Sequence, residues 1–228
     1  MRLAIMPVNN GGELGVGRKN FFPQLPTHYS DLCFIGLHEI QNQFRGIIFV
    51  RYKNNQSHHM HTIHSISAIW RTFLDDKGLR VVHEDLSRPW GGFFVIDNHQ
   101  AREFASLFFP EVPWEELGKF DVLSPKILMV APHQRLSWQY HHRRSEIWKC
   151  ISDRVFVITS DNDTERHTRR LRQGDIIRLR QGERHRLVGA DEWGVVAEIW
   201  QHVDPLHPSD EEDIVRVQDD FNRSSSHY

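Results

Sequence analysis

A segment near the middle of the chain sets its architecture: Leu136-Ser137-Trp138-Gln139-Tyr140-His141-His142-Arg143-Arg144-Ser145-Glu146-Ile147-Trp148. Alternate side chains of a β-strand share a face, so Gln139 and His141 are expected to point the same way. Glu146 follows His141 by five positions, an odd offset that a straight strand would send to the other face. The polar residues 142–145 therefore predict a turn, and a hairpin that returns Glu146 to the side of His141.

His185 is expected to reach the same place from a later hairpin. Residues 174–175 and 181–183 are turn signals, residues 176–179 alternate like a strand, and His185 follows directly. Imidazole nitrogen combined with carboxylate and amide oxygen suits zinc or another borderline divalent ion. Each residue taken singly reads more simply as solvated, because charged strand residues mostly face water. Taken together, they predict one divalent metal site, with zinc as the first choice, formed by Gln139, His141, Glu146 and His185.

The composition describes an ordinary globular protein. The chain has 228 residues, 39% hydrophobic and 25% charged, which is enough for one domain or one domain with an appendage. A net charge of −2 gives no reason to expect nucleic acid or a membrane as a partner. Two cysteines, Cys33 and Cys150, make no disulfide framework, and no run approaches the roughly 20 apolar residues of a membrane span. We therefore expect a cytoplasmic protein.

The first third of the chain shows no clear periodicity. We assign residues 1–83 to an N-terminal extension of unclear structure, with a candidate strand at 46–52 and a short helix or another strand at 65–74. The glycine-rich run at 11–17 lacks the preceding strand and the Lys-Ser/Thr ending of a phosphate-binding loop. A group of histidines lies in a polar stretch without nearby carboxylates, which favours a solvated loop: His58, His59, His61 and His64.

Short strands follow one another at even spacing through residues 84–223, which we assign to one domain, leaving 224–228 as a tail. Helices are expected at 100–109 and 114–117, and strands at 93–96, 126–131, 136–141, 147–151, 155–159, 176–179, 186–188 and 195–201. This spacing is typical of an all-β sandwich or barrel. The jelly roll is the member of that class that often holds a metal in its interior.

Two further expectations concern the surface and the carboxyl end. If Ser137, Gln139 and His141 line the barrel, then Leu136, Trp138 and Tyr140 face outward and need a cover, for which a homodimer is the favoured choice. Ser209 followed three residues later by Glu212 resembles a capping box, which predicts a short helix there.

Residues 88–223 resemble the cupin domain of type II mannose-6-phosphate isomerases, which also forms the carboxyl half of bifunctional isomerase/mannose-1-phosphate guanylyltransferases. Four motifs occur in the family's order: residues 88–91 (RPWG), 136–148 (LSWQYHHRRSEIW), 174–187 (beginning GDII and ending GERHRL) and 212–223 (EDIVR, then DDFNR). The resemblance implies a cupin double-stranded β-helix and metal binding by Gln139, His141, Glu146 and His185. The chain departs from the family at three turn positions, where His133, Asp153 and Arg180 replace two glycines and a proline.

The resemblance also implies an activity, the aldose–ketose isomerisation of mannose 6-phosphate or a related sugar phosphate. A base must then lie within reach of the moving proton, and Glu198 and Asp213 are the candidates. Arginine suits a phosphate or enediolate, which favours Arg216 and Arg223, with Arg144 and Lys126 as further substrate contacts. Two alternatives remain open: a non-catalytic cupin that binds a sugar or nucleotide sugar, and an oxygenase or epimerase on the same barrel.

Overall fold

The computed structural model describes residues 62–223, which form eleven strands, three α-helices and two short 3₁₀ turns. The α-helices are α1 (Ile63–Asp76), α2 (Ala101–Phe108) and α3 (Trp114–Leu117), and the 3₁₀ turns are Asn98–Gln100 and Glu211–Asp213. The strands are β1 (Val81–Asp85), β2 (Gly91–Ile96), β3 (Leu123–Val130), β4 (Trp138–Tyr140), β5 (Arg144–Cys150), β6 (Arg154–Ser160), β7 (His167–Arg172), β8 (Ile176–Leu179), β9 (Arg184–Gly189), β10 (Gly194–His202) and β11 (Val215–Gln218).

The strands form two antiparallel sheets. The larger has the order β1-β2-β3-β10-β5-β8, and the smaller has the order β11-β4-β9-β6-β7. Successive strands often lie in different sheets, as β4 and β5 do, so the chain winds between the two layers. This arrangement confirms the predicted all-β jelly-roll class with few short helices.

Two hydrophobic clusters explain how the layers hold together. Inside the barrel, Trp148, Val157 and Leu187 are among the residues that pack between the two sheets. Behind the larger sheet, α1 and α2 pack their apolar faces onto residues such as Ile127 and Ile199. β10 is buried along its whole length because it faces both clusters.

The predicted domain boundary between residues 83 and 84 falls inside β1, and α1 ahead of it shares the core behind the larger sheet. Of the two readings for 65–74, the structure forms the helix, which Thr62 caps by accepting a hydrogen bond from the backbone of Ser65. The candidate strand at 46–52, the glycine-rich run at 11–17 and three of the grouped histidines lie outside the described residues, as does the tail.

All eight predicted strands are present within a few residues, while three observed strands were not predicted. β7 was missed because Leu171 is its one apolar residue, and β1 because its burial does not alternate. β11 was missed because a helix was expected near it. That expectation is wrong: the residues after Ser209 form only a 3₁₀ turn, whose cap is the side chain of Asp210.

The expected hairpin between His141 and Glu146 is also wrong. β4 and β5 belong to different sheets, so the turn between them carries the chain across the barrel end instead of back along one sheet. The turn before His185 makes the same kind of crossing, from β8 to β9. A backbone hydrogen bond from Gly182 to the carbonyl of His141, 2.9 Å long, joins the two crossings.

The apolar surface expected outside β4 is not found. Trp138 is only 1% exposed and donates its indole N–H to the carbonyl of Asp163, while Leu136 packs inside the barrel. Tyr140 is half-buried beneath the guanidinium of Arg184. The homodimer therefore stays a prediction, but it no longer has the support of an exposed apolar face on β4. Within the described range no helix has both the length and the apolar character needed to cross a membrane.

His133 occupies a turn with a backbone φ of +59°, the left-handed region that glycine adopts most easily. The resemblance to the cupin domain implies glycine at this position. We expect His133→Gly to stabilise the protein by about 0.5 kcal/mol, because relief of left-handed strain of about 1–2 kcal/mol outweighs the added chain entropy. Urea denaturation would measure the change. The control is Asp153→Gly, at a position without positive φ, and equal stabilisation of both variants would contradict the assignment of strain.

Candidate metal centre and adjoining cavity

Three potential ligands meet inside the barrel, at the end where the two crossings lie. His141, Glu146 and His185 are at most 2% exposed, and one ligand atom from each lies within 4.8 Å of the other two. The ring centroids of the two histidines are 5.1 Å apart. Glu146 comes from the larger sheet and His185 from the smaller one, so the group bridges the two layers.

Backbone hydrogen bonds orient both imidazoles. Nδ1 of His141 lies 3.1 Å from the carbonyl oxygen of Asp213, and Nδ1 of His185 lies 2.9 Å from that of Glu183. A carbonyl can only accept, so each Nδ1 carries the proton and each Nε2 presents a lone pair. Burial, with Arg144 nearby, lowers the pKa of His141 to about 4, so this ring is neutral at neutral pH.

Those lone pairs face the carboxylate of Glu146. Nε2 of His141 lies 3.2 Å from one carboxylate oxygen, and Nε2 of His185 lies 3.3 Å from the other. Burial alone would raise the pKa of Glu146, but the guanidinium of Arg144, which donates to Glu146 at 2.7 Å, holds this pKa well below its usual range, so the group is a carboxylate. Two acceptors in contact repel unless a cation or proton lies between them. Oε2 of Glu146 and Nε2 of His185 are buried without a hydrogen-bond partner, which suits them to a divalent cation.

Gln139 enters the same region from β4, where it pairs in register with His185 on one side and Arg216 on the other. Its side-chain oxygen accepts a hydrogen bond of 2.6 Å from the hydroxyl of Ser137. The structure thus places Gln139 beside the three ligands. Its role as a fourth ligand stays a prediction.

Arg144 is a built-in cation next to the three ligands. Its Nε donates to Glu146 at 2.7 Å, and a terminal nitrogen lies 3.0 Å from Nε2 of His141. The other terminal nitrogen donates to the hydroxyl of Ser209 at 2.6 Å. The guanidinium also lies 3.5 Å from the ring centroid of Trp200, a cation–π contact.

Asp213 has a different setting from the one its predicted catalytic role requires. Its carboxylate accepts from the backbone N–H groups of His142 and Arg143, at 3.0 and 2.9 Å, and from the hydroxyl of Ser209 at 2.6 Å. It is not among the described residues that line the cavity. Asp213 therefore fixes the crossing turn and, through its carbonyl, the orientation of His141.

A cavity of about 50 Å³ adjoins the metal ligands. That volume holds several water molecules, at roughly 10–15 Å³ each. Its wall includes all four predicted substrate-contacting cations, together with one potential base and two metal-site residues: Lys126, Arg144, Arg216, Arg223, Glu198, Gln139 and Glu146. The remaining predicted residues, His141, His185 and Asp213, lie behind or beside this wall.

Glu198 has the most perturbed acid–base behaviour in the wall. It lies on β10 opposite Lys126 on one side and Trp148 on the other, and the indole of Trp148 donates to its carboxylate at 2.8 Å. Burial first, and then the negative charge of Glu146, raises the pKa of Glu198 to about 8. Glu198 is therefore mostly protonated at neutral pH, despite the nearby Lys126.

Lys126 is buried as deeply as Glu198. Burial lowers its pKa, while Glu211, which accepts from its ammonium at 2.8 Å, acts in the opposite direction. The ammonium also lies 3.3 Å from the ring centroid of Trp200. Lys126 and Arg144 approach Trp200 from the strands on either side of β10, so both cations contact the same indole at the cavity wall.

Two further arginines of the wall come from the last strand and the residues after it. Arg216 lies on β11, and Arg223 is held by Asp219 through several hydrogen bonds, including one of 3.0 Å from Nε. Arg88 completes this group and pairs with Asp85 at 2.8 Å. The structure thus gathers Arg216 and Arg223 at the cavity, and their contact with a phosphate stays a prediction.

Sequence reasoning missed several residues of the site. Trp200 and Glu211 line the cavity, and Ser209 links Arg144 to Asp213. Trp200 could have been found from its alternation with Glu198 along β10, which puts both side chains on the inner face. No local signal links Ser209 to Arg144 or Glu211 to Lys126, because the two residues of each pair are more than 60 positions apart.

Comparison with known proteins places this geometry in a wider group. A family model described as the mannose-6-phosphate isomerase C-terminal domain matches residues 103–219. No curated protein sequence matches the chain.

Solved structures with partial similarity include other cupins. A cupin 2 conserved barrel protein from Salinispora arenicola is 24% identical, with a TM-score of 0.31, over 37% of this chain and 65% of that one. A cupin-superfamily sugar phosphate isomerase from Silicibacter pomeroyi is 12% identical, with a TM-score of 0.31, over 35% and 50%. Hazelnut vicilin is 18% identical, with a TM-score of 0.41, over 57% of this chain, which spans only 34% of the vicilin.

The family match covers 117 of 228 residues and includes every residue of the three-ligand group and of its hydrogen-bonding partners. The chain therefore belongs to the family of mannose-6-phosphate isomerase C-terminal cupin domains.

Proposed function

We propose that this protein is a metal-dependent aldose–ketose isomerase acting on a sugar phosphate, either mannose 6-phosphate or a related compound. The observation that carries the proposal is the pair of imidazole lone pairs facing one buried carboxylate, beside a cavity whose wall holds a protonated glutamic acid and several cations. The family match agrees with this class of reaction.

The residues present fit a divalent ion. His141, Glu146 and His185 would hold it, with Gln139 as the proposed fourth ligand, and nitrogen-rich ligation without thiolate is compatible with zinc. When bound, such an ion supplies Lewis-acid chemistry that polarises carbonyl and hydroxyl oxygens of the sugar. One nitrogen of Arg144 lies 3.0 Å from Nε2 of His141, the atom that would bind the metal. This nitrogen must therefore move away before all three residues can bind the ion.

Glu198 is the better candidate for the base. Isomerisation removes a proton from C2 of the aldose while the carbonyl oxygen gains one, which gives an enediol; C1 then receives a proton as the C2 hydroxyl loses its own. A group with a pKa of about 8 can accept and return a proton near neutral pH. Asp213 is less suited, because three hydrogen-bond donors occupy its carboxylate and lower its pKa despite its burial.

Binding of the phosphate group falls to the cations of the wall. Arg216 and Arg223 lie together at one part of it, and a planar guanidinium suits phosphate oxygens. Lys126 and Arg144 lie nearer the metal ligands, where they can stabilise negative charge on the sugar oxygens. Burial lowers the pKa of Arg216, with Arg223 as a further cause, so two positive charges close together favour a dianionic ligand.

The main alternative is a cupin that binds a sugar or nucleotide sugar without turnover, because a fold alone does not guarantee chemistry. Its cavity would need the phosphate-binding cations but no group that moves protons. The perturbed Glu198 favours the enzyme.

The first test removes the metal ligands. His141→Ala and His185→Ala should each abolish bound metal and isomerase activity, because each leaves the carboxylate with one nitrogen partner. Metal analysis of purified protein, followed by coupled assays with mannose 6-phosphate, fructose 6-phosphate and sedoheptulose 7-phosphate, would measure both effects. His142→Ala is the matched control, since His142 is the adjacent histidine and is exposed. Full activity in metal-stripped protein would refute the proposal, and bound metal without turnover of any of these sugars would favour the binding module.

The second test concerns the phosphate. Arg216→Gln should raise KM for the sugar phosphate about tenfold or more, since a hydrogen bond to a charged group contributes about 1.5–3 kcal/mol. Metal content should stay unchanged. Arg178→Gln, an exposed arginine outside the cavity, serves as the control. An unchanged KM in the Arg216 variant would remove this residue from the phosphate site.

The third test uses the pKa of Glu198. Its folded pKa of about 8 lies above the ordinary 4.5, so the folded state holds a proton that the unfolded state has lost, and stability falls as pH rises between those values. His141 and His202, with pKa values lowered to about 4, act in the opposite direction only below about 6.5. As pH rises from about 6.5 to 8, the original protein should therefore lose free energy of unfolding that the Glu198→Gln variant keeps. The difference between the two should change by on the order of 1–2 kcal/mol in favour of the variant. Urea denaturation of metal-free protein measures the difference, and parallel pH profiles would show that Glu198 is ionised throughout.

A further inference from the structure

The edge strand β7 and the residue before it carry a dense positive charge. Residues 166–172 read Arg-His-Thr-Arg-Arg-Leu-Arg, and the four arginines are all exposed: Arg166, Arg169, Arg170 and Arg172. The chain as a whole has a net charge of −2, so this concentration is local.

These four guanidinium groups lack counterions within the described part of the chain. Twelve other arginines there lie within 4.0 Å of a carboxylate, whereas none of these four does. Most of the described arginines therefore have an acidic partner, whereas Arg166 and the three arginines of β7 have none.

The arrangement works against the strand itself. Arg172 lies directly opposite Arg154 in the register of β6 and β7, and like charges in that relation destabilise a sheet. The main anchor of β7 is Leu171, which is fully buried in the barrel interior. Arg170 lies on the outer face, opposite the half-buried Phe156.

One side of β7 is open to another strand. Within residues 62–223 it pairs only with β6, so the peptide groups along its other side face no strand. Charge on an edge strand prevents indiscriminate pairing between sheets. Four unneutralised charges of one sign also favour one kind of partner, because they attract a strand of opposite charge.

We infer that β7 is a docking edge for an acidic, extended segment of another protein, which adds to the five-stranded sheet as its sixth strand. Peptide groups would supply the pairing, and carboxylates at alternate positions would meet Arg170 and Arg172 on the outer face. Residues 1–61 are not such a segment, because they contain six Lys or Arg against three Asp or Glu. A second copy of β7 would bring arginine against arginine.

The experiment uses the full chain and a fluorescein-labelled octapeptide of alternating glutamate and threonine. Binding is followed by fluorescence anisotropy at low ionic strength, where charge pairing is least screened. Arg170→Glu should weaken binding about fivefold or more, since an opposite-charge pair becomes a like-charge pair. Arg102→Glu is the matched control, because Arg102 is exposed and has no carboxylate partner among the described residues but lies on α2. Arg172→Glu is a second variant, which also relieves the opposition to Arg154 and should fold at least as well.

Two further probes separate strand addition from charge alone. The same octapeptide N-methylated at alternate residues keeps its carboxylates but cannot pair along an edge, so it should bind much more weakly. Equal binding of both peptides would overturn the inference, as would equal weakening by Arg170→Glu and Arg102→Glu. Tighter binding of a single-stranded oligonucleotide of the same charge would also overturn it, in favour of nucleic acid. Isomerase activity and metal content should be unaffected by Arg170→Glu, because β7 does not line the cavity.

Discussion

The structure depends on one carboxylate held between two imidazoles. Glu146 projects inward from the larger sheet, and the lone pairs of His141 and His185 face it from the other side of the barrel. Such a group, buried in a low-dielectric interior, is costly unless a cation compensates it. Arg144 meets part of that requirement from within the chain, and the two atoms left without partners define where a further cation fits. The chain crosses between the sheets from β4 to β5 and from β8 to β9, and these two crossings bring the three residues together.

The electrostatics of the cavity follow from this centre. Because Glu146 keeps its negative charge, the neighbouring Glu198 cannot easily ionise, and its pKa rises. Two carboxyl groups in one interior thus acquire different protonation states, and opposite roles, through their environments. Lys126 and Arg144 carry like charges in one wall, and the indole of Trp200 interacts favourably with both. The result is a wall on which a protonated acid and several cations lie close together.

Several parts of this arrangement could be predicted from residue order. The alternation of residues 176–179 predicted β8 with its bounds, and the pattern of residue types in 139–146 pointed to His141 and Glu146, which the fold does bring together. The prediction failed where one segment's structure depends on a distant one. β11 forms because the edge of β4 is open to it, β7 forms around a single buried leucine, and Trp138 is buried because a loop carbonyl 25 residues away accepts its N–H.

The sequence by itself determined which atoms are available: the nitrogen and oxygen ligands, the period-two strands and the turns that separate them. These are local properties, carried by side-chain type and by the alternation of a pleated strand. Only the tertiary structure decided which nitrogen of each histidine carries the proton, which of two acids stays protonated, and which arginines remain without partners. Those properties depend on burial and on charges contributed by other strands, and no spacing within one segment reports them.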